Sequence, residues 1–287
     1  MKATEISALI TLLDDDDQEV VAHVSERIKS LGKSIVPTLE KVWNPDFNPI
    51  QSERLENLIH EIQFEDLLHA IEVWRETPTV DVLKGYFLIS SYFFPDLNFD
   101  EIERKVKKIR QKIWIELNYN QTPLEQVQIL NHVFYYHLGF SGDQNAASNA
   151  DFCINHVLDT KKGNPISLGL LYISLAQSLQ LPIYGVRLIN YFILAFCKDP
   201  SFGERNEGQE SDVLFYINPF QKGVIFSKNQ IADYIKRMNT PAKSQYFSPT
   251  NSTEVIIELI DYLIFINEQN NSFDVATELK LIRKKIG

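Results

Sequence analysis

Apolar residues recur at helical spacing through the first ninety-odd positions. Ala8, Leu9, Leu12 and Leu13 predict a first helix, and the run Asp14-Asp15-Asp16-Asp17 interrupts it. Acidic side chains there can cap and charge the start of the next helix, where the peptide dipoles favour negative charge. That helix carries Val20, Val21, Val24 and Ile28, and Leu31-Gly32 ends it. A third starts near Ser34 with Ile35, Val36, Leu39 and Val42 on its apolar stripe. Further helices are predicted over 50–76 and 80–94.

The turn-rich segment Pro95-Asp96-Leu97-Asn98-Phe99-Asp100 reads as a boundary. Helices over 99–117 and 122–138 follow, the second opened by Thr122-Pro123 as N-cap and first turn. Residues 139–151 are loop-like, and a short helix is expected near 151–160. The helix predicted over 165–179 is apolar nearly all round, from Ile166 to Leu179, and must be buried. Leu181-Pro182 breaks it. The period then changes: Ile183–Ile189, Tyr191–Phe196, Val213–Ile217 and Val224–Phe226 are rich in β-branched and aromatic residues and read as strands. Lys198–Asp212 is a polar hairpin loop. Ser227 with Gln230 forms a capping box for a helix reaching Met238. Beyond a polar linker over 239–252, two helices over about 253–267 and 272–285 form a terminal hairpin.

The chain has 287 residues, 44% hydrophobic and 23% charged, enough to bury a real core. Its net charge of -10 weighs against a nucleic-acid backbone as partner. Lys105, Lys107, Lys108, Arg110 and Lys112 are the basic exception, interleaved with Val106, Ile109 and Ile113, and read as a solvated helix face. Cys153 and Cys197 make no disulfide framework. No apolar leader follows Met1-Lys2-Ala3-Thr4-Glu5, and the most apolar helix is too short to span a bilayer. The expectation is a cytoplasmic protein without membrane contact.

Residues 163–220 have the outline of a cysteine-hydrolase site: helix start, strand, strand. Asn164 is placed to cap the 165–179 helix, and Ser167 falls in its first turn near the positive end of the dipole. A cysteine there would become a thiolate; a serine needs an adjacent general base. Tyr191 starts a strand, with Ile193 and Ala195 on its face. A phenol is a poor proton acceptor where such a site needs imidazole. Asn218 could orient a histidine, but Tyr191 stands where that histidine would be, and Asn218 serves better in the turn before Pro219. Asn164, Ser167, Asn190, Tyr191 and Asn218 are the candidate cleft residues, and no catalytic residue is assigned with thiol, imidazole and carboxylate all missing.

The runs Leu138-Gly139-Phe140 with Gly142, Lys162-Gly163-Asn164-Pro165-Ile166-Ser167-Leu168, Leu181 to Val186, Tyr191 to Leu194 and Ile217-Asn218-Pro219-Phe220 resemble the transglutaminase-like core of the SirB-type family. The resemblance implies an α+β, predominantly α fold: a papain-like core in which a small antiparallel sheet packs on a buried helix, flanked by helical segments. It implies an N-terminal helical region over 1–95, the core over 96–240, and a linker with a TPR-like hairpin over 241–287. Residues 5–43 resemble one HEAT-type repeat, without a second copy. Family members usually keep a Gly-His-Phe and an Ile-Asp-Pro-Phe run. This chain has Asn190-Tyr191-Phe192 and Ile217-Asn218-Pro219-Phe220 instead, which points to a pseudoenzyme.

No cofactor and no metal are expected. Asp14–Asp17 lacks the glycine and spacing of a calcium loop. Cys153 and His156, three apart on one helix face, are too few ligands for zinc. His132 and His137, five apart, should lie on different faces, and nothing nearby in sequence activates Cys197. The expected function is non-catalytic binding of a peptide, ligand or protein partner. The alternatives are a residual hydrolase or acyl transferase using Ser167 with Lys161 or Lys162 as base, and a helical structural adaptor.

Overall fold

A computed structural model describes residues 3–42, 49–118, 120–188, 191–198 and 213–287. The chain forms two compact units, residues 1–70 and 71–287. In the first, α1 (Ala3–Leu12), α2 (Gln18–Lys29), α3 (Val36–Val42) and the start of α4 (Pro49–Arg75) enclose Ile10, Leu13, Ile28, Leu39 and Leu55. The acidic run acts locally: Asp17 caps α2 by accepting the Glu19 N–H at 2.9 Å. Arg54 reaches back from α4 and donates to the Leu13 carbonyl at 2.6 Å.

The second unit holds α5 (Val82–Phe93), α6 (Phe99–Glu116), α7 (Pro123–Asn131), α8 (Ile154–Thr160) and α9 (Pro165–Ser178), then a sheet, α10 (Lys228–Arg237), and the hairpin of α11 (Ser252–Gln269) and α12 (Phe273–Ile286). Two minimal strands, β1 (Ser141–Gly142) and β2 (Lys162–Gly163), pair in parallel just before α9. The main sheet runs β3 (Ile183–Leu188), β4 (Tyr191–Cys197), β5 (Val213–Asn218), β6 (Val224–Phe226) in spatial order, each pair antiparallel. The fold is therefore α+β and mostly helical, with a small antiparallel sheet against a buried helix. Among the described residues no helix is long and apolar enough to cross a membrane.

Helix and sheet meet through a glycine. A side chain on Gly169 of α9 would place its Cβ 2.5 Å from the Phe192 ring, so only glycine lets the two elements approach this closely. On the other face, Ile193, Ala195, Cys197 and Tyr216 pack against Ile231 and Ile235 of α10. Both faces of the sheet are thus covered.

The helix predicted over 122–138 is not regular. After α7 the residues His132–His137 form a π-helical turn, in which the Leu138 N–H reaches back five residues to the Val133 carbonyl at 2.9 Å. The wider turn brings residues five apart onto one side, and the rings of His132 and His137 lie with centroids 4.7 Å apart. This corrects the expectation that the two histidines diverge. The same turn buries Tyr135, whose hydroxyl donates to the Pro219 carbonyl at 2.8 Å.

Candidate functional site

The first turn of α9 is closed on itself. Asn164 is the N-cap, and its Oδ1 accepts the Ser167 N–H at 2.9 Å. In return the Asn164 N–H donates to Ser167 Oγ at 3.0 Å. Ser167 thus occupies the position a glutamate takes in a capping box. Its residue is fully buried and Asn164 only 6% exposed. A Cβ on Gly163 would sit 2.6 Å from Ser167 Oγ, so the chain before the helix fits only as glycine.

Two residues distant in sequence complete this neighbourhood. The Tyr86 hydroxyl of α5 lies close to Ser167 without a hydrogen bond of ordinary geometry, and Cys153 is next to it. Burial pushes the Tyr86 phenol well above the ordinary tyrosine range. Ser90, one turn further along α5, accepts the Ile154 N–H at 2.9 Å and donates to the Tyr86 carbonyl at 2.8 Å. The sequence signal for this cluster is local: Tyr86 and Ser90 are hydroxyls four apart, on one face of a mostly apolar helix.

Tyr191 and Asn218 do not join Ser167. Strand alternation puts Phe192, Leu194 and Ile217 toward α9, and sends Tyr191 and Asn218 to the α10 face. There the Tyr191 hydroxyl lies against the Asn218 side chain. Burial raises the Tyr191 phenol above its ordinary range, and the Asn218 contact offsets this only in part. Asn218 Oδ1 also accepts the N–H groups of Phe220 and Gln221 at 3.0 and 3.1 Å, an Asx turn. Four of the sequence-selected positions thus fall into two places: Ser167 with Asn164 at the helix start, Tyr191 with Asn218 behind the sheet. Asn190 lies outside the described residues.

Neither lysine proposed as a base serves Ser167. Lys161 donates its amine to the Leu158 carbonyl, lies 4.6 Å from the Phe140 ring centroid, and has its pKa lowered by burial. Lys162 is exposed on β2. His156 Nε2 sits 3.3 Å from Asp151 Oδ1, and Cys153 Sγ donates to the Asn149 carbonyl at 3.3 Å.

Burial pushes the Cys153 thiol up to about 12 from its ordinary value of 9.0. Because the folded-state pKa is the higher one, stability is unaffected by this group below about pH 9 and falls as pH climbs from there toward 12. Cys197 is fully buried as well. Ellman's reagent is expected to find no reactive thiol in the native protein near neutral pH and both of the 2 cysteines in urea. Prompt native reaction of Cys153 would contradict this packing.

Two hollows of this unit lie along α11. One hollow of about 440 Å³ is walled by Phe192, Ser248, Thr250, Ile257 and Arg283, and a second of about 670 Å³ by Leu188, Tyr246, Tyr262 and Phe265. Arg187 and Glu258 pair on the boundary of both. Asp261 links Arg187 to Arg283, whose Nε donates to Asp261 Oδ1 at 2.5 Å. Burial holds the Glu258 carboxyl above its ordinary range in spite of Arg187. Nothing in the sequence reading pointed to this network, because its members come from β3, α11 and α12.

The profile of the transglutaminase-like superfamily matches residues 100–261, which span α6 through the middle of α11. F-box only protein 21 of Mus musculus is 25% identical over 193 residues, covering 58% of this chain and 30% of its own length. A UPF0162 protein of Vibrio cholerae is 23% identical over 181 residues, 62% of this chain and 63% of the relative. UPF0162 protein YchA of Escherichia coli is 27% identical over 184 residues, 62% of each chain. The matched region thus spans less than a third of the F-box relative and under two thirds of the Vibrio one. No solved structure matches. With more than half of its length under the family profile, the chain belongs to the transglutaminase-like superfamily.

Proposed function

We propose that this is a non-catalytic transglutaminase-like protein that works by binding a protein or peptide partner. The observation that carries the reading is the state of Ser167: fully buried, its hydroxyl bonded to the Asn164 N–H, with Tyr191 on the far side of the sheet. A nucleophile needs access, a base and oxyanion donors. Here the Ser167 N–H is already taken by the Asn164 side chain. The reading goes with a SirB-type branch of the superfamily, a TPR-like role for the α11–α12 hairpin and a cytoplasmic setting. The hollows along α11 offer room for a peptide.

Fluorophosphonate probes are expected to leave the wild-type protein unlabelled. Labelling that disappears in Ser167→Ala would instead establish a serine hydrolase. Rebuilding the lost groups is also expected to fail: Ser167→Cys combined with Tyr191→His and Asn218→Asp should show no iodoacetamide reactivity above the parent near neutral pH. The new imidazole would sit behind the sheet. Alkylation of the introduced thiol at a rate that follows an imidazole titration would overturn the assignment of faces.

A further inference from the structure

Helix α6 turns Ile102, Val106, Ile109 and Ile113 to the core. At 100° per residue the opposite side carries Arg104, Lys107, Lys108, Gln111, Trp114 and Ile115. Trp114 is 61% and Ile115 69% exposed. A large aromatic and a β-branched residue side by side in water form an unusual pair on a folded helix, since tryptophan is among the side chains that gain most from burial. Between Glu103 and Glu116 the charge on this helix is basic. Residues 104–115 hold six basic side chains and no acidic one, in a chain whose net charge is -10. Lys105 pairs with Asp159, Lys107 with Glu103 and Arg104 with Glu101. Lys108 and Lys112 have no carboxylate partner among the described residues.

We propose that this outward face of α6 is a docking surface for an acidic segment of a partner protein, with Trp114 and Ile115 as its apolar anchor. Tryptophan flanked by cationic side chains is the composition that concentrates binding energy in protein interfaces. Lys108, on the same side of the helix as Ile115, supplies a complement to Asp and Glu on the partner and steers its approach. A membrane surface fits less well. An interfacial helix lays a whole apolar face into the lipid, and the apolar face of α6 is already committed to the core. The proposal goes beyond the binding reading above and draws nothing from the Ser167 region, so a positive result with fluorophosphonate would leave it standing.

The test uses the full chain and a short labelled helix-forming peptide with Glu and Asp around a Leu-Phe anchor, read by fluorescence anisotropy. Saturable binding is expected, with a blue shift of tryptophan emission and weakening as salt rises. Trp114→Ala/Ile115→Ala should lower the affinity about tenfold or more while keeping the parental melting temperature. Lys108→Glu should weaken it separately and reduce the salt dependence. Four results would overturn the proposal: no binding of the acidic peptide, equal binding of its Lys/Arg counterpart, undiminished affinity in the Trp114 variant, or a response confined to phosphatidylserine vesicles. Self-association that is lost in the Trp114 variant would also overturn it, by giving the face to a second copy.

Discussion

Phe192→Ala is expected to cost about 3–5 kcal/mol of folding stability, the range for removing a large aromatic from a tight core. Phe192 is 1% exposed, and its ring fills the space that glycines leave on two elements, Gly169 of α9 and Gly185 of β3. Neither backbone can close the void without moving a helix or an edge strand. The neighbouring Tyr191→Phe should cost only about 0.5–1.5 kcal/mol, the net value of an ordinary hydrogen bond. Urea titrations of the two variants measure both. The contrast between adjacent residues reports the faces of β4 directly. A larger loss at Tyr191 than at Phe192 would put the phenol toward Ser167 and reopen the question of a base.

Asn131→Leu should be nearly as damaging. Asn131 Nδ2 donates to the Gly223 carbonyl at 2.9 Å, while its Oδ1 accepts the Tyr172 hydroxyl at 2.8 Å. One amide thus ties α7 to α9 and to the turn after β5. Leucine would strand both groups, at about 1–3 kcal/mol for each buried polar group left unpaired. Tyr172 is fully buried and has no water to fall back on. Adding Tyr172→Phe to Asn131→Leu should recover part of the loss, because the orphaned hydroxyl goes with it. Strict additivity in that cycle would show that the two side chains act independently.

The helices and strands were legible because their signals are local. Thr122-Pro123, Ser227 with Gln230 and Asn164-Pro165 mark helix starts that the structure reproduces, and runs of β-branched and aromatic residues locate the four strands of the main sheet to within a residue or two. Alternation also set Tyr191, Ile193 and Ala195 on one face. It could not say which face meets α9. Phe192, Leu194 and Phe196 are as apolar as Ile193, Ala195 and Cys197, since helices cover both sides of the sheet. The site was therefore read as a row of three when it is divided by the sheet. The approach of Tyr86 and Cys153 to Ser167 spans some eighty residues of sequence and leaves no periodic trace. The outward aromatic of α6 leaves no signal for a related reason: a helical period identifies the buried stripe, and Trp114 lies off it.

The π-helical turn at His132–His137 makes chain length, and not only chemistry, a constraint on this protein. It holds one residue more than a regular turn would need. Losing a single codon there would return the segment to ordinary winding and slip the residues of the turn by one position against the core they pack on. Tyr135 would lose its register with Pro219, and Phe140 its place against Phe134. Substitutions at the exposed histidines should therefore be tolerated where a one-residue deletion is not.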